Sequence, residues 1–164
     1  MENPVEVRHV SLEIKGDFGH IIQILEQSLG RFNNAFLDNL ETDPQSVQER
    51  LKEAEGEEGL MLFNIQDHGK LLNLYGTPKK ARQYVLGNPL IAAMMTRHDI
   101  RAGLYAPLRL LVYEIDNQTT KIEYDQPSSL FGQFNNSVVT AVARSLDVKL
   151  AGLINKVELL LKNI

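Results

Sequence analysis

Cysteine is absent from the 164 residues, which excludes disulfide staples, thiolate metal sites and thiol nucleophiles. Long apolar runs are missing too: the longest, Leu90 to Met95, is far too short to cross a bilayer. The opening stretch Met1-Glu2-Asn3-Pro4-Val5-Glu6 is neither basic nor apolar, so secretion and membrane association are not expected, and a cytoplasmic location is. His9, His20, His68 and His98 are scattered without metal-ligand spacing, so no metal and no other cofactor is expected. There is no G-x-S-x-G elbow and no H-E-x-x-H pair. Gly76-Thr77-Pro78-Lys79-Lys80 lacks the leading glycine and the spacing of a phosphate loop.

What is present is the composition of one soluble domain, 43% hydrophobic and 23% charged with a formal net charge of −4. A chain of this length buries roughly 70% of the surface it exposes when unfolded, so it builds a core without a staple. Charge is unevenly placed. Leu37 to Glu58 holds eight acids and two bases, whereas Lys79 to Arg109 holds six bases against Asp99 alone. The first segment reads as a peripheral acidic helical insertion at about 37–58 in a single domain spanning 1–164. The second could receive an anionic ligand, although a solvated surface is the commoner role of such a stretch. With a pI near 5.6 and no interleaving of aromatic and basic residues, no nucleic-acid partner is expected.

Periodicity sets the elements. Val5 to Ile14 alternates as a strand, and Asp17 caps a helix whose Phe18, Ile21, Ile22, Leu25 and Leu29 recur at helical spacing before Gly30 stops it. Asp43-Pro44 opens a second helix with a narrow stripe of Val47, Leu51 and Ala54. Leu60 to Ile65 reads as a strand buried on both faces, followed by a short helix capped by Asp67 and closed by Gly76. Ala81 to Leu86 is a further strand, and Asn88 and Pro89 start a helix. Leu108 to Ile115 and Thr119 to Tyr124 form a hairpin around Asp116-Asn117-Gln118. From Asn135 onward Val139, Val142, Leu146, Leu150, Leu153, Val157, Leu160 and Ile164, the last outside the residues the structure describes, mark a long terminal helix, with a bend expected near Ser145 to Asp147. A tight hairpin among these strands argues for an antiparallel sheet with helices on one face, an α+β fold.

Few residues carry chemistry. His68 follows a strand and a capping Asp67, where an imidazole could act as acid or base; a structural hydrogen bond is the commoner role. Gly87-Asn88-Pro89 is a strand-to-helix turn whose next free N–H groups, on Leu90 and Ile91, could hold an anion, but the Asn88 side chain competes for those donors. Arg109 and Glu114 are five apart in one strand, so parity sends them to opposite faces. Each breaks an apolar face and wants a partner. Tyr124, on the second hairpin strand, is a plausible neighbour for one of them.

Ile65-Gln66-Asp67-His68, Gly87-Asn88-Pro89, Pro107-Leu108-Arg109-Leu110-Leu111-Val112-Tyr113-Glu114 and Tyr124-Asp125-Gln126-Pro127 follow one another in an order that resembles the bacterial domain-of-unknown-function 302 family. The resemblance is most specific from about Leu60 to Pro127. It implies a small α+β fold of TATA-binding-protein-like shape, a curved antiparallel sheet against helices, and often a homodimer, with no established activity. Leu86 stands where family members commonly have Phe, and the acidic stretch is longer than the family leads one to expect. The positions carried over as candidate ligand-binding residues are Asp67, His68, Asn88, Arg109, Glu114 and Tyr124.

The favoured expectation is a non-enzymatic, dimeric cytoplasmic module that binds a small anionic or amphipathic ligand between sheet and helices. One alternative is an enzyme using His68 as acid or base with Arg109 or Tyr124 steadying negative charge. Another is a pure interaction module using the terminal helix stripe.

Overall fold

The computed structural model describes residues 4–163. The chain runs β1 (His9–Lys15), α1 (Phe18–Ser28), a two-residue β2 (Gly30–Arg31), α2 (Pro44–Glu53), β3 (Met61–Gln66), α3 (His68–Leu71), β4 (Ala81–Gly87), α4 (Pro89–Thr96), β5 (Leu108–Asp116), β6 (Thr119–Asp125), α5 (Pro127–Phe131) and α6 (Ser137–Leu161). Short 3-10 turns fill several of the connections, and the Ala106–Pro107 peptide is cis.

The strands form one six-stranded sheet in the order β1-β6-β5-β4-β3-β2. Its pairs are antiparallel except β2 with β3, which is parallel and departs from the purely antiparallel expectation. Alternation along each strand sends Ile14, Leu62, Tyr84, Leu86, Leu110, Val112 and Ile122 to one face, where they join Phe18, Ile21 and Leu25 of α1 and the stripe of α6 in the main core. The fold is α+β, with a long C-terminal helix. That helix is one element from Ser137 to Leu161, with Val139, Ala143, Leu146, Leu150, Leu153, Ile154 and Val157 all buried. Most of the predicted stripe is therefore core, while Val142 is half-buried and Leu160 is exposed.

Local chemistry sets most boundaries. Asp17 accepts from His20 N at 3.1 Å, Asp43 from Ser46 N at 3.2 Å and Asp67 from Lys70 N at 2.7 Å, each capping the helix that follows. β1 starts at His9 rather than Val5 because its partner runs out: His9 pairs with Asp125, and beyond it Pro127 turns the chain into α5. β3 is buried on both faces only at Met61 and Leu62, since a bulge at Phe63 shifts the register and leaves Asn64 exposed.

Gly30 does not stop α1 as a left-handed cap. A Cβ there would sit 1.8 Å from the Ala54 carbonyl oxygen, and one on Gly56 would sit 2.1 Å from Gly30 N. The two glycines let the end of the acidic segment cross β2 backbone to backbone, where Gly30 N and Gly56 N both donate to Leu60 O.

Candidate functional site

Where β4 ends and β5 begins, the sheet and the helices leave a cavity of about 230 Å³. Ile91 and Met95 of α4, Phe131 of α5 and Leu146 of α6 line it on the helical side. Phe32 and Phe63 form a further wall, stacked with ring centroids 4.4 Å apart. The Gly87-Asn88-Pro89 turn and Pro107-Leu108 close the sheet end. Among the described residues, Asn88 is the one lining side chain with a polar group, and none of the lining side chains is charged.

Asn88 itself is buried and its polar atoms are engaged. Its Oδ1 accepts from Leu90 N at 2.8 Å, capping α4, while Nδ2 donates to Glu55 Oε1 at 2.7 Å and to Gly59 O at 2.8 Å. The side chain thus pins the end of the acidic segment to the start of α4, and the Leu90 N–H considered for anion binding is already taken. Asn88 positions the cavity wall more than it offers a ligand a hydrogen bond.

His68 lies elsewhere, at the start of α3, beside a groove of about 670 Å³ that also takes in Ala81, Gln83, Leu111, Tyr113 and Glu114. Its floor is the open face of the sheet. There Glu123 accepts from Tyr113 Oη at 2.7 Å and from Ser11 Oγ at 3.1 Å, and the His9 ring stands 3.1 Å from Glu123 and 3.0 Å from Asp125. Hydrogen bonds to Asp125 and Glu123 raise the His9 pKa, and the Tyr113 bond leads the causes holding the Glu123 carboxyl below its usual value. At the end of the sheet Glu114 pairs with Lys80 at 2.6 Å.

The remaining candidates do not gather at one point. Arg109 is exposed on the open face opposite Val85, one alternate position beyond Leu111. Tyr124 points the other way: it is buried in the core, and burial, reinforced by the Asp147 carboxylate, raises its pKa. Arg109 and not Tyr124 therefore shares a face with His68. Asp67 caps α3 and lies 3.5 Å from Arg82 Nε. Arg82 Nη1 and Tyr84 Oη both donate to Glu26 Oε1, at 3.1 and 2.8 Å, so this network ties α1 and α3 to β4. Burial, with the Glu26 carboxylate, pushes the Tyr84 hydroxyl well above its usual pKa.

Half of the six bases from Lys79 to Arg109 are neutralised where they stand, since Lys80 pairs with Glu114, Arg82 with Glu26 and Arg101 with Asp99 at 2.7 Å. The apolar wall of Phe32, Phe63, Ile91, Met95, Phe131 and Leu146 was not among the candidates read from sequence. These residues come from five separate segments, Ile91 and Met95 sharing α4, and each has the pattern of ordinary core. The one local signal was the Gly87-Asn88-Pro89 turn, which fixes where the cavity lies.

A family model described as "Domain of unknown function DUF302" matches residues 39–157, a span that takes in nearly all of the acidic segment as well as the cavity-forming turn. No curated protein matches the chain. Among solved structures, the crystal structure of an uncharacterized conserved protein DUF302 from Bacillus stearothermophilus is similar, with a TM-score of 0.64 at 21% identity over 90% of this chain and 96% of that one. That likeness shows the fold.

Proposed function

The chain belongs to the DUF302 family, a domain of unknown function, and from that premise we propose that it is a non-catalytic module whose ligand occupies the apolar cavity at the Gly87-Asn88-Pro89 turn. The observation that carries this reading is a cavity of about 230 Å³ with apolar walls from helices and strands alike. Dry cavities of roughly 150 Å³ accommodate a benzene ring, so this one has room for a single ring or a short alkyl chain. Its lining offers no acid, base or nucleophile, and its one polar side chain is engaged in capping and bracing. The ligand class is thus apolar or amphipathic at the end that enters the cavity.

Filling the cavity tests this. Ala92 lines it from α4, and Ala92→Phe places a ring in the space. A panel of small apolar compounds should raise the melting temperature of the unmodified protein and leave that of the variant unmoved. An unmodified protein that responds to none of them contradicts the reading.

The reading includes a homodimer. Leu71, Leu74 and Tyr75, 60%, 81% and 79% exposed, form an apolar arm after Asp67 that a second copy would cover. Light scattering that gives a monomer mass at tens of micromolar would remove this part. No helix among the described residues is long and apolar enough to cross a membrane. The proposal includes a cytoplasmic location, which recovery in a membrane fraction would contradict.

A further inference from the structure

We propose that the cavity's ligand is an amphiphile with one acidic head group, held outside the cavity in an adjoining cleft lined by Lys52, Arg97 and Lys149. The proposal rests on the apolar cavity being a ligand site. The cleft, of about 620 Å³, shares Asn88 and Ile91 with the cavity. Only that turn of chain divides an apolar space from a charged one.

The three cations come from separate elements: Lys52 from α2, Arg97 from the end of α4 and Lys149 from α6. Glu55 is the one acid in the lining, and its Oε1 already accepts from Asn88. Lys149 is held in place, with its Nζ donating to Glu58 O at 2.8 Å, and Arg97 Nε donates to His98 Nε2 at 3.1 Å. Among the described residues none of the three forms an ion pair, in contrast to Lys80, Arg82 and Arg101 of the basic stretch.

An apolar tail in the cavity fixes the ligand's head at the Asn88–Ile91 boundary, and a negative charge there meets three cations against one carboxylate. At the start of α4, Asn88 already occupies the Leu90 N–H, so the proposal rests on the three side chains. Lys52 and Arg97 are exposed and Lys149 half-buried, so their attraction for an anion is screened by salt, whereas the contribution of the tail is not.

Octanoate and 1-octanol share a chain length and differ in charge, and calorimetric titration of the full chain with each separates the two contributions. Octanoate should bind at least tenfold more tightly at low salt, and the preference should collapse at high salt. In K52Q/R97Q/K149Q the preference should vanish while octanol binding is unchanged. Ala92→Phe should abolish binding of both. Equal affinities of the two probes for the unmodified protein overturn the head-group proposal and leave the cavity reading standing. Octanoate binding that survives Ala92→Phe overturns the placement of its tail. If neither probe binds, the cavity reading itself falls.

Discussion

The covered and open faces of the sheet are made by the same strands, yet they hold their polar groups in opposite ways. On the covered face polar groups are few and most brace the fold: Tyr84 and Arg82 share Glu26, and Asn88 bridges Glu55, Gly59 and Leu90. On the open face His9, Ser11, Tyr113, Glu123 and Asp125 form a cross-strand network in contact with water. A buried polar group without a partner is costly, so the covered side admits chiefly those that brace the fold. The space it leaves is an apolar pocket, and the open side supplies a polar groove. Concave apolar walls are what a small ligand needs, which is why the proposed site lies on the side poorer in titratable residues.

The largest expected difference between the faces is energetic. Leu110 is buried in the core, and Leu111, its neighbour, faces the open groove. Leu110→Ala should lower the unfolding free energy by about 2–5 kcal/mol, and Leu111→Ala by about 1 kcal/mol or less, as measured by urea denaturation. Equal losses would mean that the open face is covered in solution, as a dimer through that face would require.

Asn88→Ala comes next, at about 2 kcal/mol, because it removes the cap of α4 and strands the Gly59 carbonyl and Glu55. Asn88→Asp keeps an acceptor for Leu90 N but sets a second carboxylate against Glu55. It should be at least as destabilising at neutral pH and recover in part as the pH falls. A neutral Asn88→Ala would show that the turn is held by something other than this side chain.

The smallest effect belongs to the open face. His9 has its pKa raised above the ordinary 6.5 by Asp125 and Glu123, so its contribution is complete below 6.5 and fades as pH rises through the raised value. Glu123 is shifted the other way from 4.5, so its contribution is present above that value and fades as pH falls. With the His9 side chain 55% exposed, solvent screens the pair and the effect is modest. His9→Gln should flatten the alkaline-side decline in melting temperature between about pH 5 and 8. A variant whose pH profile matches the parent would show that the network carries no stability.

Much of the fold was legible because it is local. Asp17, Asp43, Asp67 and Asn88 cap as their positions require, and the hairpin and the α6 stripe follow from residues a few positions apart. The parallel β2–β3 pair was not legible, since β2 is two residues long and is held by a Gly30–Gly56 crossing that sequence spacing does not reveal. The candidate residues were chosen for their chemistry, and the structure divides them between the two faces. Of the six, Asn88 alone lines the apolar cavity, as a brace. Cavity walls made of Phe, Ile, Leu and Met look in sequence like any core, because what distinguishes them is the space between segments far apart in the chain.

The most direct test of the contrast between the faces is diffraction from a crystal held under xenon pressure, since xenon enters dry apolar cavities and not solvated grooves. The account predicts a xenon site bounded by Phe63, Ile91 and Leu146, and none in the groove beside His68. A cavity that stays empty or holds ordered water would contradict it.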